Sequence, residues 1–117
     1  MAALTKTELA DRALEALGIL GAGQSSSGED NGLAQSAVDT VHGMLRKELG
    51  LPFATSAIPE WAQSALTHLT ALELCAIFGI TGARMQAVTM LADKGRSDLA
   101  TQMAAMRQPV PTRVDYF

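Results

Sequence analysis

Pro59-Glu-Trp-Ala-Gln-Ser-Ala-Leu-Thr-His-Leu-Thr-Ala-Leu-Glu-Leu-Cys-Ala-Ile-Phe78 is the stretch on which the fold turns. Trp61, Leu66, Leu69, Leu72, Cys75 and Ala76 spread around most of a helical circumference, a pattern that a helix with one face in water does not carry. The spacing therefore predicts a central helix over about 59–78, with Pro59 at its first position, where the missing N–H costs nothing. A helix covered on several sides needs other helices to cover it, and the sequence on either side supplies three.

Upstream, Thr5 and Glu8 form a capping-box pattern, and Leu9, Ala13 and Leu17 recur at helical spacing until Gly18, which predicts a first helix at about 6–17. Seven of the residues from Gly18 to Gly28 are glycine or serine and have little to bury, so the reading there is a mobile loop over about 18–30. From Leu33 the positions Ala34, Ala37, Val38, Val41, Met44, Leu45 and Leu49 alternate by three and four, and Gly50 with Pro52 supplies the stop, predicting a second helix at about 31–49. Downstream, Met85, Val88, Ala92, Leu99, Met103 and Met106 predict a fourth helix at about 83–106. Gly95 lies on its apolar side and marks a close approach or a bend. Met85, Met90, Met103 and Met106 are read as mostly core residues from their helical spacing. After Arg107, Pro109 and Pro111 exclude a helix and predict an extended tail over 107–117. The fold class expected is all-α: a small four-helix bundle over 1–106 followed by that tail.

Composition narrows the function classes. The chain has 117 residues, 48% of them hydrophobic but only 4% aromatic, so one core built from Ala, Leu, Val and Met is expected. A net charge of −3 without a Lys/Arg cluster speaks against a protein that coats nucleic acid. The N-terminus lacks the pattern of a secretory signal, and the longest apolar run is broken by Glu73, so a soluble protein made in the cytoplasm, with no membrane partner, is expected. Cys75 stands alone in an apolar run and reads as a buried, inert thiol. His42 and His68 have no ligand-spaced neighbours and read as surface or packing histidines, so no metal and no cofactor are expected. The glycines from Gly18 to Gly23 lack the Gly-Lys-Ser/Thr and the preceding strand of a phosphate loop.

Glu73 is out of place among its apolar neighbours. One reading is an acid in a pocket; the preferred one is a carboxylate at a helix edge, paired with Arg84, Lys94 or a neighbouring subunit, and no catalytic residue is expected. Trp61, Leu69, Leu72 and Glu73 are the candidates for core or inter-subunit packing.

Thr5-Lys-Thr-Glu-Leu-Ala-Asp-Arg-Ala-Leu-Glu-Ala-Leu-Gly-Ile19, Ala34-Gln-Ser-Ala-Val-Asp-Thr-Val-His-Gly-Met-Leu-Arg-Lys-Glu-Leu-Gly-Leu51 and Ile58-Pro-Glu-Trp-Ala-Gln-Ser-Ala-Leu66 through Ile77-Phe-Gly-Ile80 together resemble the head-to-tail adaptor family of tailed bacteriophages, also called connector, head-completion or tail accessory proteins, with relatives in gene transfer agents. The resemblance covers residues 5–106. It implies a structural virion protein, not an enzyme, at the head-to-tail interface and in the host cytoplasm during assembly. It implies a helical bundle that forms a ring, about twelve copies in the family, between the portal protein and the tail or stopper protein. DNA would pass through its channel without sequence-specific binding. Leu49 stands where the family often has an aromatic residue, and the chain ends soon after the fourth helix. The segment after that helix, with Val110, Val114, Tyr116 and Phe117, is expected to dock on the portal or a neighbouring subunit. Two other classes are weighed: a small helical enzyme using Glu73 and a histidine, and a helix-turn-helix DNA-binding protein built on the third and fourth helices. The second lacks a basic patch, since Arg84, Lys94 and Arg96 are balanced by Asp93 and Asp98.

Overall fold

The computed structural model describes residues 3–21, 24 and 26–107, and in these the chain forms four helices: α1 (Lys6–Ala16), α2 (Gly28–Leu49), α3 (Glu60–Phe78) and α4 (Gly82–Arg107). The residues expected to dock, Val110, Val114, Tyr116 and Phe117, lie outside the described residues.

Local chemistry sets the boundaries. The Thr5 hydroxyl accepts from the Glu8 amide at 3.3 Å while the Thr5 amide donates to Glu8 Oε1 at 3.0 Å, the reciprocal cap expected from the sequence. α2 starts at Gly28, three residues ahead of the expected start. Ser27 supplies the side-chain cap, accepting from the Asp30 amide at 3.2 Å, and Glu29 and Asp30 occupy the first turn, where carboxylates meet the positive end of the helix. α2 and α3 close on Gly50 and Gly79, both left-handed with φ of 72° and 68°. Pro59 is the N-cap of α3 and not its first helical residue, a shift of one position.

α3 packs against α1, α2 and α4, so its apolar girth is covered as its composition requires. Ala62, Leu66, Ala71, Leu74 and Cys75 are fully buried there, against Leu9 and Leu14 of α1, Val38 and Leu45 of α2, and Val88 and Leu99 of α4. The seam between α3 and α4 is the closest in the bundle. A Cβ placed on Gly95 would stand 2.8 Å from the Ala65 Cα and 3.0 Å from its Cβ, so the close approach foreseen from Gly95 is real and only glycine allows it.

The start of the chain is tied in by a feature the hydrophobic periodicity does not signal. Leu4 and Ile58 exchange backbone hydrogen bonds of 3.0 and 2.7 Å as an isolated antiparallel bridge, which anchors the segment leading into α3. At the other end of α1, Arg84 of α4 donates to the Ala16 carbonyl at 3.3 Å, placing a cation at the negative end of that helix.

The methionines depart from expectation. Met103 is buried, but Met85, Met90 and Met106 are exposed, Met90 by 73%. Met90 falls on the side of α4 opposite the buried stripe of Val88, Ala92, Gly95 and Leu99, while Met85 and Met106 lie in the first and last turns, where cover from α3 runs out.

Candidate assembly interface

α2 and α4 both pack on α3 but touch each other little. Between them a groove of about 230 Å³ is left, with Leu69, Leu72 and Glu73 of α3 as its floor, Val41, Met44 and Leu45 of α2 on one side and Asp93 and Arg96 of α4 on the other. Three of the four packing candidates therefore meet in one place. Leu69 and Leu72 are half-buried and Met44 is exposed; at the groove Arg96 pairs with Glu48, and farther along α4 Arg107 donates to the Leu49 carbonyl.

Glu73 is not buried. It is exposed at the edge of the groove, and the expected pairing with Arg84 or Lys94 is not formed, because Arg84 caps α1 and Lys94 is held by Asp98 at 2.7 Å on its own helix. Asp93 stands opposite across the groove and is likewise exposed. Among the described residues neither carboxylate has a cation partner.

Trp61, the fourth candidate, is elsewhere. With Ser64, Ala65 and His68 of α3 it faces Leu91, Lys94, Gly95 and Asp98 of α4 across a notch of about 230 Å³ on the other side of the α3–α4 seam. Its ring is 37% exposed, and its inner edge meets Phe53 in a T-shaped contact of 5.5 Å. Phe53 in turn meets His42 in a tilted ring contact of 5.5 Å, and the His42 Nε2 lies 2.7 Å from the Phe53 carbonyl oxygen. His42 is thus a packing histidine, as its context implied. His68 is half-buried in the notch wall, and desolvation lowers its pKa below 6.5, opposed by a hydrogen bond to the Ser64 backbone. Burial pushes the Cys75 thiol up, which keeps it protonated and unreactive.

The residues that sequence reasoning missed are Met44, Asp93, Leu91 and Ile77. Met44 was grouped with the apolar stripe of the second helix, but it sits at the edge of that stripe, and Ile77 is 51% exposed one turn beyond Glu73. The available signal was one of arithmetic: the stripe on α4 is too narrow to cover both flanks of α3.

Among the described residues no group of three or more His, Cys, Asp or Glu is placed to hold a metal ion, and no helix is long and apolar enough to cross a membrane. Comparison with known proteins found no matching family model, no matching curated protein and no matching solved structure.

Proposed function

We propose that the chain is a head-to-tail adaptor: a structural subunit that forms a ring beneath the portal of a DNA-filled head and offers the tail a platform. The resemblance over residues 5–106 suggests the class, and one observation in the fold carries it further. Large apolar side chains remain outside a core that is already closed: Leu33, Met44, Trp61, Ile77, Met85, Met90, Leu91 and Met106, of which Met44 borders the groove and Trp61 and Leu91 the notch. A subunit that works by side-by-side association needs such exposed groups, and a monomeric domain does not.

The charges support the same reading over a DNA reader. All four basic residues of α4 are engaged by their own chain: Arg84 by the Ala16 carbonyl, Lys94 by Asp98, Arg96 by Glu48 and Arg107 by the Leu49 carbonyl. A recognition helix needs a net basic face, and along α4 Lys94 and Arg96 are balanced by Asp93 and Asp98. A net charge of −3 also suits a collar through which duplex DNA must slide, because many phosphate contacts would hold it.

Mixing the purified protein with its cognate portal assembly, then imaging by electron microscopy, tests the proposal. An added ring on the portal is the expected result. Absence of binding, or scattered single subunits, overturns it. Removal of residues 108–117 is expected to leave helicity unchanged while preventing attachment. A truncated chain that attaches normally would remove the tail from the docking role.

A further inference from the structure

Building on the adaptor reading, we infer that neighbouring copies join through two unlike flanks of the α3–α4 pair: the groove flank of one copy, bearing Met44, Glu73 and Asp93, packs on the notch flank of the next, bearing Trp61, Leu91 and Lys94.

Three observations converge on a second copy as the occupant. The first is placement. At about 100° per residue, the α4 positions of the notch, Leu91, Lys94, Gly95 and Asp98, average some 180° away from those of the groove, Asp93 and Arg96. A two-fold dimer uses one patch twice, whereas two different patches on opposed sides of one element are what a head-to-tail contact needs, and such a contact repeats into a ring where the rotation between copies closes.

The second is shape. The notch is floored by Gly95 and Ala65, whose closeness leaves room for a side chain between Trp61 and Leu91, and its volume of about 230 Å³ suits one long apolar group. Met44 stands exposed on the groove flank, unbranched and able to seat its thioether beside the Trp61 ring.

The third is charge. The groove flank carries two carboxylates, Glu73 and Asp93, with no cation partner among the described residues. The notch flank carries Lys94, held only by an exposed pairing with Asp98 one turn away, a contact given up at little cost. Seating Met44 in the notch brings Lys94 toward both carboxylates. Over all the charges that line them, the groove carries Glu73, Asp93 and Arg96, the last paired with Glu48, and the notch carries Lys94 and Asp98, so the groove flank is the more negative and the notch flank holds a transferable cation.

Paired cysteines test the geometry on the full chain assembled on its portal. Met44→Cys and Leu91→Cys are made singly and together, with Cys75 left in the core, and the assembled particles are oxidised with a mild thiol oxidant. The double variant is expected to give a ladder of covalent oligomers on a denaturing gel, while each single variant stays monomeric because its cysteine faces no cysteine on the neighbour, and dimers from a single variant would point to a like-to-like contact instead. A ring visible by electron microscopy without a ladder overturns the flank assignment and leaves the adaptor reading standing. No ring with the unaltered protein overturns both. Lys94→Glu is expected to lower ring occupancy by about tenfold or more through like-charge contact, with Glu73→Lys in the same chain restoring it. Rescue supports the facing of these two residues, and loss without rescue counts against it.

Discussion

The two sides of α4 are held in opposite ways. Toward α3 it presents small and branched residues, and at Gly95 the backbones approach until no Cβ fits between them. Toward α2 it leaves a groove spanned by the pairing of Arg96 with Glu48. The first side is a core, where the energy lies in contact and shape. The second is a surface held near its neighbour, and for that reason it remains available to another molecule.

The largest test of this contrast compares two apolar residues of α4. Leu99 is buried on the α3 side, so Leu99→Ala should destabilise by about 2–5 kcal/mol, the lost transfer energy plus the cavity. Met90 points away from the core, and Met90→Ala should change stability by less than about 0.5 kcal/mol. Urea denaturation of both variants measures the difference, and similar losses would mean that α4 is embedded on more than one side.

Glycines sharpen it next. Gly95→Ala should cost about 1–3 kcal/mol by forcing the Ala65 backbone away, even though alanine is the better helix former. Gly43 is exposed on α2 with nothing within 4 Å of a built Cβ, so Gly43→Ala should stabilise by about 0.5–1 kcal/mol. The same substitution in two helices should thus have opposite signs in thermal melts.

Much of the fold was legible because helix boundaries depend on local chemistry. Thr5 with Glu8, Gly18 and Gly50 act within a turn of their own positions, and the apolar girth of α3 requires partners on several sides. The start of α2 differs because Ser27, which composition places in the Gly/Ser-rich loop, caps the helix by accepting from the Asp30 amide, and a side-chain cap is not a matter of composition. The candidate site was only partly legible. Leu69, Leu72 and Glu73 do share a groove, but whether a methionine on an apolar stripe is covered depends on which helices lie beside it, a property of packing that spacing does not carry. Met90 and Trp61 show the limit: helical spacing puts Met90 with the core residues, and apolarity puts Trp61 with Leu69 and Leu72, from which the α3–α4 seam separates it.

A smaller effect should appear with pH in the notch. Burial lowers the His68 pKa below 6.5, so in acid the unfolded chain takes up the proton more readily than the folded one. The stability this residue allows is complete above about pH 6.5 and falls as the pH drops through the folded value. His68→Gln should flatten that part of a stability-versus-pH curve, measured by urea midpoints from neutral pH to pH 5. An unchanged slope would mean that the notch wall is as well solvated as free solution, and thus no surface poised to be covered.

The smallest expected effect bears most directly on whether the groove is open. Arg96 and Glu48 join α4 to α2 across it, with both side chains nearly half exposed. Such a pair gains little in water, because two long side chains must be fixed and the attraction is screened, so a double-mutant cycle with Arg96→Ala and Glu48→Ala should return a coupling of about 0.2–1 kcal/mol. The coupling should shrink further in 1 M salt, where screening acts within about 3 Å. A coupling of about 2 kcal/mol or more, insensitive to salt, would describe a desolvated pair in a closed seam. In that case α2 would hold α4 as firmly as α3 does, and the groove would be part of the core instead of a face for another copy. A weak, screened coupling keeps the two sides of α4 distinct: one closed by shape, the other left for association.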